Sequence, residues 1–91
     1  MGNGYLGSSK ILTSAANQEI VPETPENWTS DRYSIYKLSF INKNNCSVKI
    51  NGGSSIYLEA NQGFESSKED KAINSFVIVE EGIQYSFIGA Y

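Results

Sequence analysis

Ninety-one residues, 40% hydrophobic and 19% charged, describe one small globular domain and not a disordered chain. Ten acidic against seven basic residues leave a net charge of −3, which argues against a nucleic-acid binder working through a basic patch. With no histidine, Ser-His-Asp and Cys-His catalysis and imidazole-ligated zinc are excluded within this chain, and the lone Cys46 excludes an internal disulfide.

Ten isoleucines against four leucines and five alanines favour strands, because β-branched side chains fit a pleated surface better than a helix. Residues 1–31 hold Gly2, Gly4, Gly7, Pro22, Pro25 and only one base, Lys10, with short apolar pairs at Ile11-Leu12 and Ile20-Val21. This composition predicts an extended N-terminal arm and connector, with one edge strand near Lys10–Ala15 and a Pro-interrupted link. Residues 32–91 predict a compact β-domain. Tyr33–Ile41 alternates as a long strand with Tyr36, Leu38 and Phe40 on one face, and Lys43-Asn44-Asn45 supplies turn chemistry. Cys46–Ile50 alternates again, Asn51-Gly52-Gly53 is a hairpin signal, and Ile56–Glu59 returns. Asn61-Gln62-Gly63 breaks the chain, and Ser66–Lys71 reads as a solvated loop. Ile73–Val79 is the expected central strand, and Glu80-Glu81-Gly82 turns the chain into Ile83–Ile88. Five such strands, with no competing helical window, predict an all-β fold, a small antiparallel β-sandwich or barrel. Its expected core is Leu38, Phe40, Ile50, Leu58, Phe76, Ile78 and Phe87.

Chemical motifs are few. Gly2-Asn-Gly4-Tyr-Leu-Gly7 spells the dinucleotide fingerprint, but no strand precedes it and no helix follows to hold a pyrophosphate. Asn27-Trp-Thr29 and Asn45-Cys-Ser47 match the glycosylation pattern, yet no secretory leader is visible in the first ten residues. The longest undiluted apolar run, Phe76–Val79, falls far short of a membrane span. The expectation is a chain that folds in the cytoplasm. Glu69-Asp70 and Glu80-Glu81 sit at turns and read as solvated pairs, not a general acid/base couple or a calcium cage. Cys46 reads as a small half-buried side chain without a neighbouring base. No catalytic residue, cofactor or metal ligand is expected.

Aromatic residues are the one surplus, at 12%. Phe40, Phe76 and Phe87 suit the core, while Tyr5, Trp28, Tyr57 and Tyr91 suit burial against another subunit. A sugar-stacking platform is the competing use of the same rings. With so little apolar content, the arm is expected to be ordered against neighbouring subunits, the alternative being that it wraps its own sheet. The candidate assembly contacts are therefore Tyr5, Leu6, Ile11, Leu12, Ile20, Val21, Trp28, Tyr57 and Tyr91.

One resemblance adds to this reading. The run from Tyr36-Lys-Leu-Ser-Phe-Ile-Asn42 through Val48-Lys-Ile-Asn-Gly52, Ile56-Tyr-Leu58, Asn61-Gln-Gly-Phe64 and Ser75-Phe-Val-Ile-Val79 to Gly82-Ile-Gln-Tyr-Ser-Phe-Ile-Gly-Ala-Tyr91 resembles small structural proteins of tailed bacteriophages of Gram-positive bacteria. The resemblance covers about two-thirds of the chain and leaves residues 1–31 outside it. It implies a non-enzymatic virion component, a capsid decoration protein first and a head–tail junction or tail protein second. The implied partners are the major capsid protein or another virion protein, and copies of the chain itself, with no nucleic acid and no membrane. A carbohydrate-binding host-recognition module is the alternative from another class.

Overall fold

The computed structural model describes residues 4–24, 33–67 and 69–91. Among the described residues, nine short strands follow one another: β1 (Tyr5–Gly7), β2 (Leu12–Thr13), β3 (Gln18–Glu19), β4 (Lys37–Asn42), β5 (Cys46–Ile50), β6 (Ile56–Leu58), β7 (Phe64–Ser66), β8 (Phe76–Ile78) and β9 (Gln84–Ala90). They form two antiparallel sheets, ordered β1-β9-β4-β7 and β3-β8-β5-β6, with β2 also paired to β9. β1 and β2 lie end to end along the same edge of β9, Gly7 opposite Ile88 and Leu12 opposite Tyr85. Four residues on one side thus face two on the other, and the pair acts as one strand with a wide bulge. Counted so, the chain crosses from sheet to sheet at every connection except the β5–β6 hairpin. That connectivity is a jelly roll, two Greek keys wrapped into a sandwich. The expected small antiparallel β-sandwich is the observed class.

Alternation explains which side chains fill the sandwich. On β4, Leu38, Phe40 and Asn42 point inward and are buried, while Lys37 and Ser39 face out. On β8, Phe76 and Ile78 are buried from the opposite sheet, and the Phe40 and Phe76 rings meet at 4.7 Å across the layer. Of the expected core, Leu38, Phe40, Leu58, Phe76 and Ile78 are buried, and Ile50 and Phe87 pack half-buried against them. Ile35 and Ile73, joined by a two-bonded bridge, close one side of the sandwich and belong to the same core. Tyr33–Tyr36 therefore precedes the strand, which begins at Lys37.

The expected arm differs most. Over residues 4–24 the segment is built into both sheets of its own chain, β1 and β2 on β9 and β3 on β8. Ile20 and Val21, expected to anchor in a neighbour, are buried in this core. The physical reason is that β8 and β9 would otherwise present bare edges, and the N-terminal segment supplies their missing partners. Glu19 fastens the joint: its carboxylate accepts from the Phe76 amide (2.7 Å), the Ser75 hydroxyl (2.6 Å) and the Val21 amide (3.2 Å). Ser14 does the same at the other end, donating its hydroxyl to the Glu80 carbonyl and accepting from the Ile83 amide. The ends of the described chain also meet, Gly4 and Tyr91 exchanging both backbone hydrogen bonds.

Two further departures have local causes. Ser66, expected to open the solvated loop Ser66–Lys71, instead ends the strand Phe64–Ser66, which pairs with β4 because Phe64 has an inward site beside Phe76. Asn42, an amide inside the core, is held by four hydrogen bonds. Its Nδ2 donates to the carbonyls of Asn44, Leu58 and Glu59, and its Oδ1 accepts from the Gly63 amide. This one side chain ties the β4–β5 turn to the β6–β7 turn. At the β5–β6 hairpin, Asn51 and Gly52 both adopt positive φ (53° and 74°), as the Asn-Gly signal requires.

Candidate assembly surface

The outer face of the first sheet is assembled from four strands. Tyr5, Ala90 and Lys37 form one cross-strand row, and Gly7, Ile88, Ser39 and Glu65 form the next. A third row places Ser86 beside Ile41. Strand alternation directs all of these away from the core, since their neighbours Leu38, Phe40 and Tyr85 point inward and are buried. Tyr5 is 75% exposed and Ile88 55% exposed, although both sit in regular strands. Between them runs a groove of about 260 Å³ whose lining includes Lys37, Ser39, Glu65 and Ala90. The small side chains of Ala90 and Ser39 leave the hollow, and Tyr5 and Ile88 wall it.

Gly7 is required for this shape. A Cβ there would stand 2.5 Å from the Phe87 carbonyl oxygen, so any side chain would push β1 off β9. Lys37 and Glu65, on adjacent strands, are the charged residues that line this groove, and neither has an ion-pair partner among the described residues.

The second sheet presents a different outer face. Tyr57 lies opposite Ser47 there and is 58% exposed. The two most exposed tyrosines therefore stand on opposite sheets, and the described residues do not gather them into one stacking platform. A second cleft, about 470 Å³, opens at the side of the sandwich between β5 and β7. Ile50, Phe64 and Ile73 floor it, and Asn51, Asp70 and Lys71 rim it.

The expected contacts scatter accordingly. Tyr5 is on the outer face just described. Leu6 and Leu12 point the other way and pack half-buried on the core, while Ile11 projects from the bulge, 52% exposed. Ile20 and Val21 are core residues, and Trp28 lies outside the described residues. Tyr91 is half-buried, its ring edge-on to Tyr33 at 4.4 Å. Residue-by-residue reasoning missed Ile88, Lys37, Ser39 and Glu65. The available signal was parity on β9: Tyr85, Phe87 and Gly89 alternate with Gln84, Ser86, Ile88 and Ala90, so Ile88 had to face out.

Among the described residues, the local environment shifts two groups, Cys46 and Tyr85. Burial pushes the Cys46 thiol up and the Glu80 charge adds to that, against a hydrogen bond from Asn42 that lowers it. Burial alone raises the Tyr85 hydroxyl. The described residues hold no group of three or more Cys, Asp or Glu side chains placed to bind a metal ion.

No family model, curated protein or solved structure matches the chain.

Proposed function

We propose that the protein is a non-enzymatic structural subunit that docks onto a larger assembly through the outer face of the β1-β9-β4-β7 sheet. The observation that carries this reading is the paired exposure of Tyr5 and Ile88 on one continuous four-strand face. A large apolar side chain exposed beside a tyrosine in regular strand, around a hollow with small residues, has the make-up of an interface centre. The sequence resemblance supplies the assembly: a tailed-phage virion, with capsid decoration as the position within it. Jelly rolls occur in capsid proteins, and equally in lectins and cupins, so the fold leaves this assignment to the surface and the resemblance. Since residues 4–24 are committed to the chain's own sheets, docking uses a finished face and not a donated N-terminal strand. The carbohydrate-binding alternative is less well supported, because Tyr5 and Tyr57 stand on opposite sheets.

The test is mass-spectrometric mapping of the protein to heads and tails separated from purified particles, with the Ile88→Glu variant alongside. The expected result is the wild-type chain in heads and a folded variant absent from them. Detection in tails would move the protein to the alternative position. Absence from particles altogether, or undiminished incorporation of Ile88→Glu, would overturn the docking proposal.

A further inference from the structure

We infer that the outer face of the first sheet is self-complementary and that its first occupant is a second copy of this chain, related by a two-fold axis. The inference rests on reading that face as a docking surface, which a second copy covers before the chain joins its larger assembly. The argument begins with the two charges. Lys37 on β4 and Glu65 on β7 are exposed, are unpaired among the described residues, and belong to adjacent rows of one outer face. An isologous contact places residue i on residue j and j on i. A groove lined by one cation and one anion therefore pairs each charge with its opposite twice if the axis bisects the line between them.

The strand lattice fixes where that axis falls. Neighbouring strands are about 4.8 Å apart, and residues two apart along a strand are roughly 6.8 Å apart. For two sheets stacked face to face, the two-fold lies in the plane between them. Drawn perpendicular to the Lys37–Glu65 line through its midpoint, it passes over Ser39 and then over Ile88. Ile88 of one copy thus meets Ile88 of the other near the axis, where an apolar residue at the centre of an interface belongs. The same rotation carries Tyr5 onto the Ile41 region of the second copy, so the two ends of the diagonal Tyr5, Ile88 and Ile41 cover each other. Ile41 is half-buried and faces outward on β4, beside Ser86. One operation pairs both charges and buries the exposed apolar residues of the face.

The face is small. Four strands across and about six residues along give roughly 300 Å² per copy on the same lattice, below the usual stable interface of about 800 Å² per partner. The dimer is therefore a weak one, formed in the micromolar range or above.

The test is sedimentation equilibrium of the full chain from about 10 μM to about 1 mM, at low and high salt. The wild type is expected to dimerise reversibly, more weakly as salt rises. Lys37→Glu leaves two acids on the face and Glu65→Lys leaves two bases. Each alone sets like charges opposite each other and is expected to weaken self-association about tenfold or more. Mixed in equal amounts, the two variants form a heterodimer in which both charge pairs are opposite in sign, so association returns. A misfolded variant would not be rescued by mixing, and both substitutions lie on exposed side chains. Three results overturn the proposal: a wild type that is monomeric throughout, single variants that associate like the wild type, or a mixture that stays monomeric. In any of these cases, particle incorporation that depends on Ile88 would still support docking to a different partner, so the two readings fail separately.

Discussion

Replacing Ile20 by alanine separates an integral N-terminal segment from a free arm. Ile20 is buried, its amide donates to the Phe76 carbonyl at 3.0 Å, and it packs in the cluster that holds Val21, Phe76 and Ile78. Removing a buried isoleucine to alanine costs about 2–5 kcal/mol in transfer and cavity terms. A domain of this length has roughly 5–14 kcal/mol of total stability, so the substitution takes a large share of it. At this size each kcal/mol moves Tm by about 4–8 °C, and the expected fall is at least about 8 °C. Ile11→Ala is the internal control, because Ile11 lies in the same segment but projects from the bulge, 52% exposed, and should change stability by no more than about 0.5 kcal/mol. Thermal and urea unfolding followed by circular dichroism measure both. If Ile20→Ala melts within about 2 °C of the wild type, or the two substitutions cost the same, residues 4–24 are not part of the fold and the reasoning fails.

Three further outcomes follow from the packing. Asn42→Ala strips the Gly63 amide and three carbonyls of a buried partner and should cost about 2 kcal/mol or more, seen as a lower urea midpoint. Gly63→Ala should destabilise by more than about 1 kcal/mol, since φ is 71° and a Cβ would lie 2.7 Å from the Phe40 carbonyl oxygen. Gly52→Ala, with open space around it, should suffer only the backbone strain of its positive φ. Cys46 and Tyr85 keep their protons in the folded state above the pH at which the unfolded chain loses them. Stability is therefore full below the ordinary thiol value of about 9 and falls as pH rises past it. Cys46→Val should flatten the loss of Tm between about pH 7.5 and about pH 10 without abolishing it, and an identical pH profile would show that the thiol is not the cause.

Long strands were legible because their patterns are local. β4, β5 and β8 each show inward Leu38 and Phe40, Cys46 and Val48, Phe76 and Ile78 at a two-residue interval, and the Asn51-Gly52 turn announces itself. β1, β2, β3 and β7 are two or three residues long and, unlike the equally short β8, carry no pair of large apolar residues at that interval. Ile20 and Val21 are consecutive yet both buried, because the chain leaves β3 there and enters the layer between the sheets. Alternation cannot predict that. The candidate surface was hidden for a related reason. Tyr5, Ile88, Lys37 and Glu65 come from four strands spread over the chain, and only the crossovers of the jelly roll make them neighbours. Tyr5 was found through its residue type alone. Ile88 was not, since isoleucine in a strand reads as core until the parity of the whole strand is fixed.

The placement of β9 has a consequence for how the domain forms. It follows the other described strands in the chain and is an inner strand of its sheet, holding β4 on one side and β1 and β2 on the other. Until residues 84–90 leave the ribosome, Leu6 and Leu12 have no strand to join and Leu38 and Phe40 have only β7 beside them, so the emerging chain exposes much of this apolar surface. Pairing Tyr5 with Ala90 and Leu12 with Tyr85 closes loops that span nearly the whole sequence, the slow kind of contact to form. Folding is then a single late event on the millisecond-to-second scale, and during synthesis the chain depends on its sparse, acidic N-terminal composition to stay soluble. Within residues 4–24, Gly4, Gly7, Glu19 and Glu23 dilute the apolar content, which favours solubility of this stretch until its partner strand arrives.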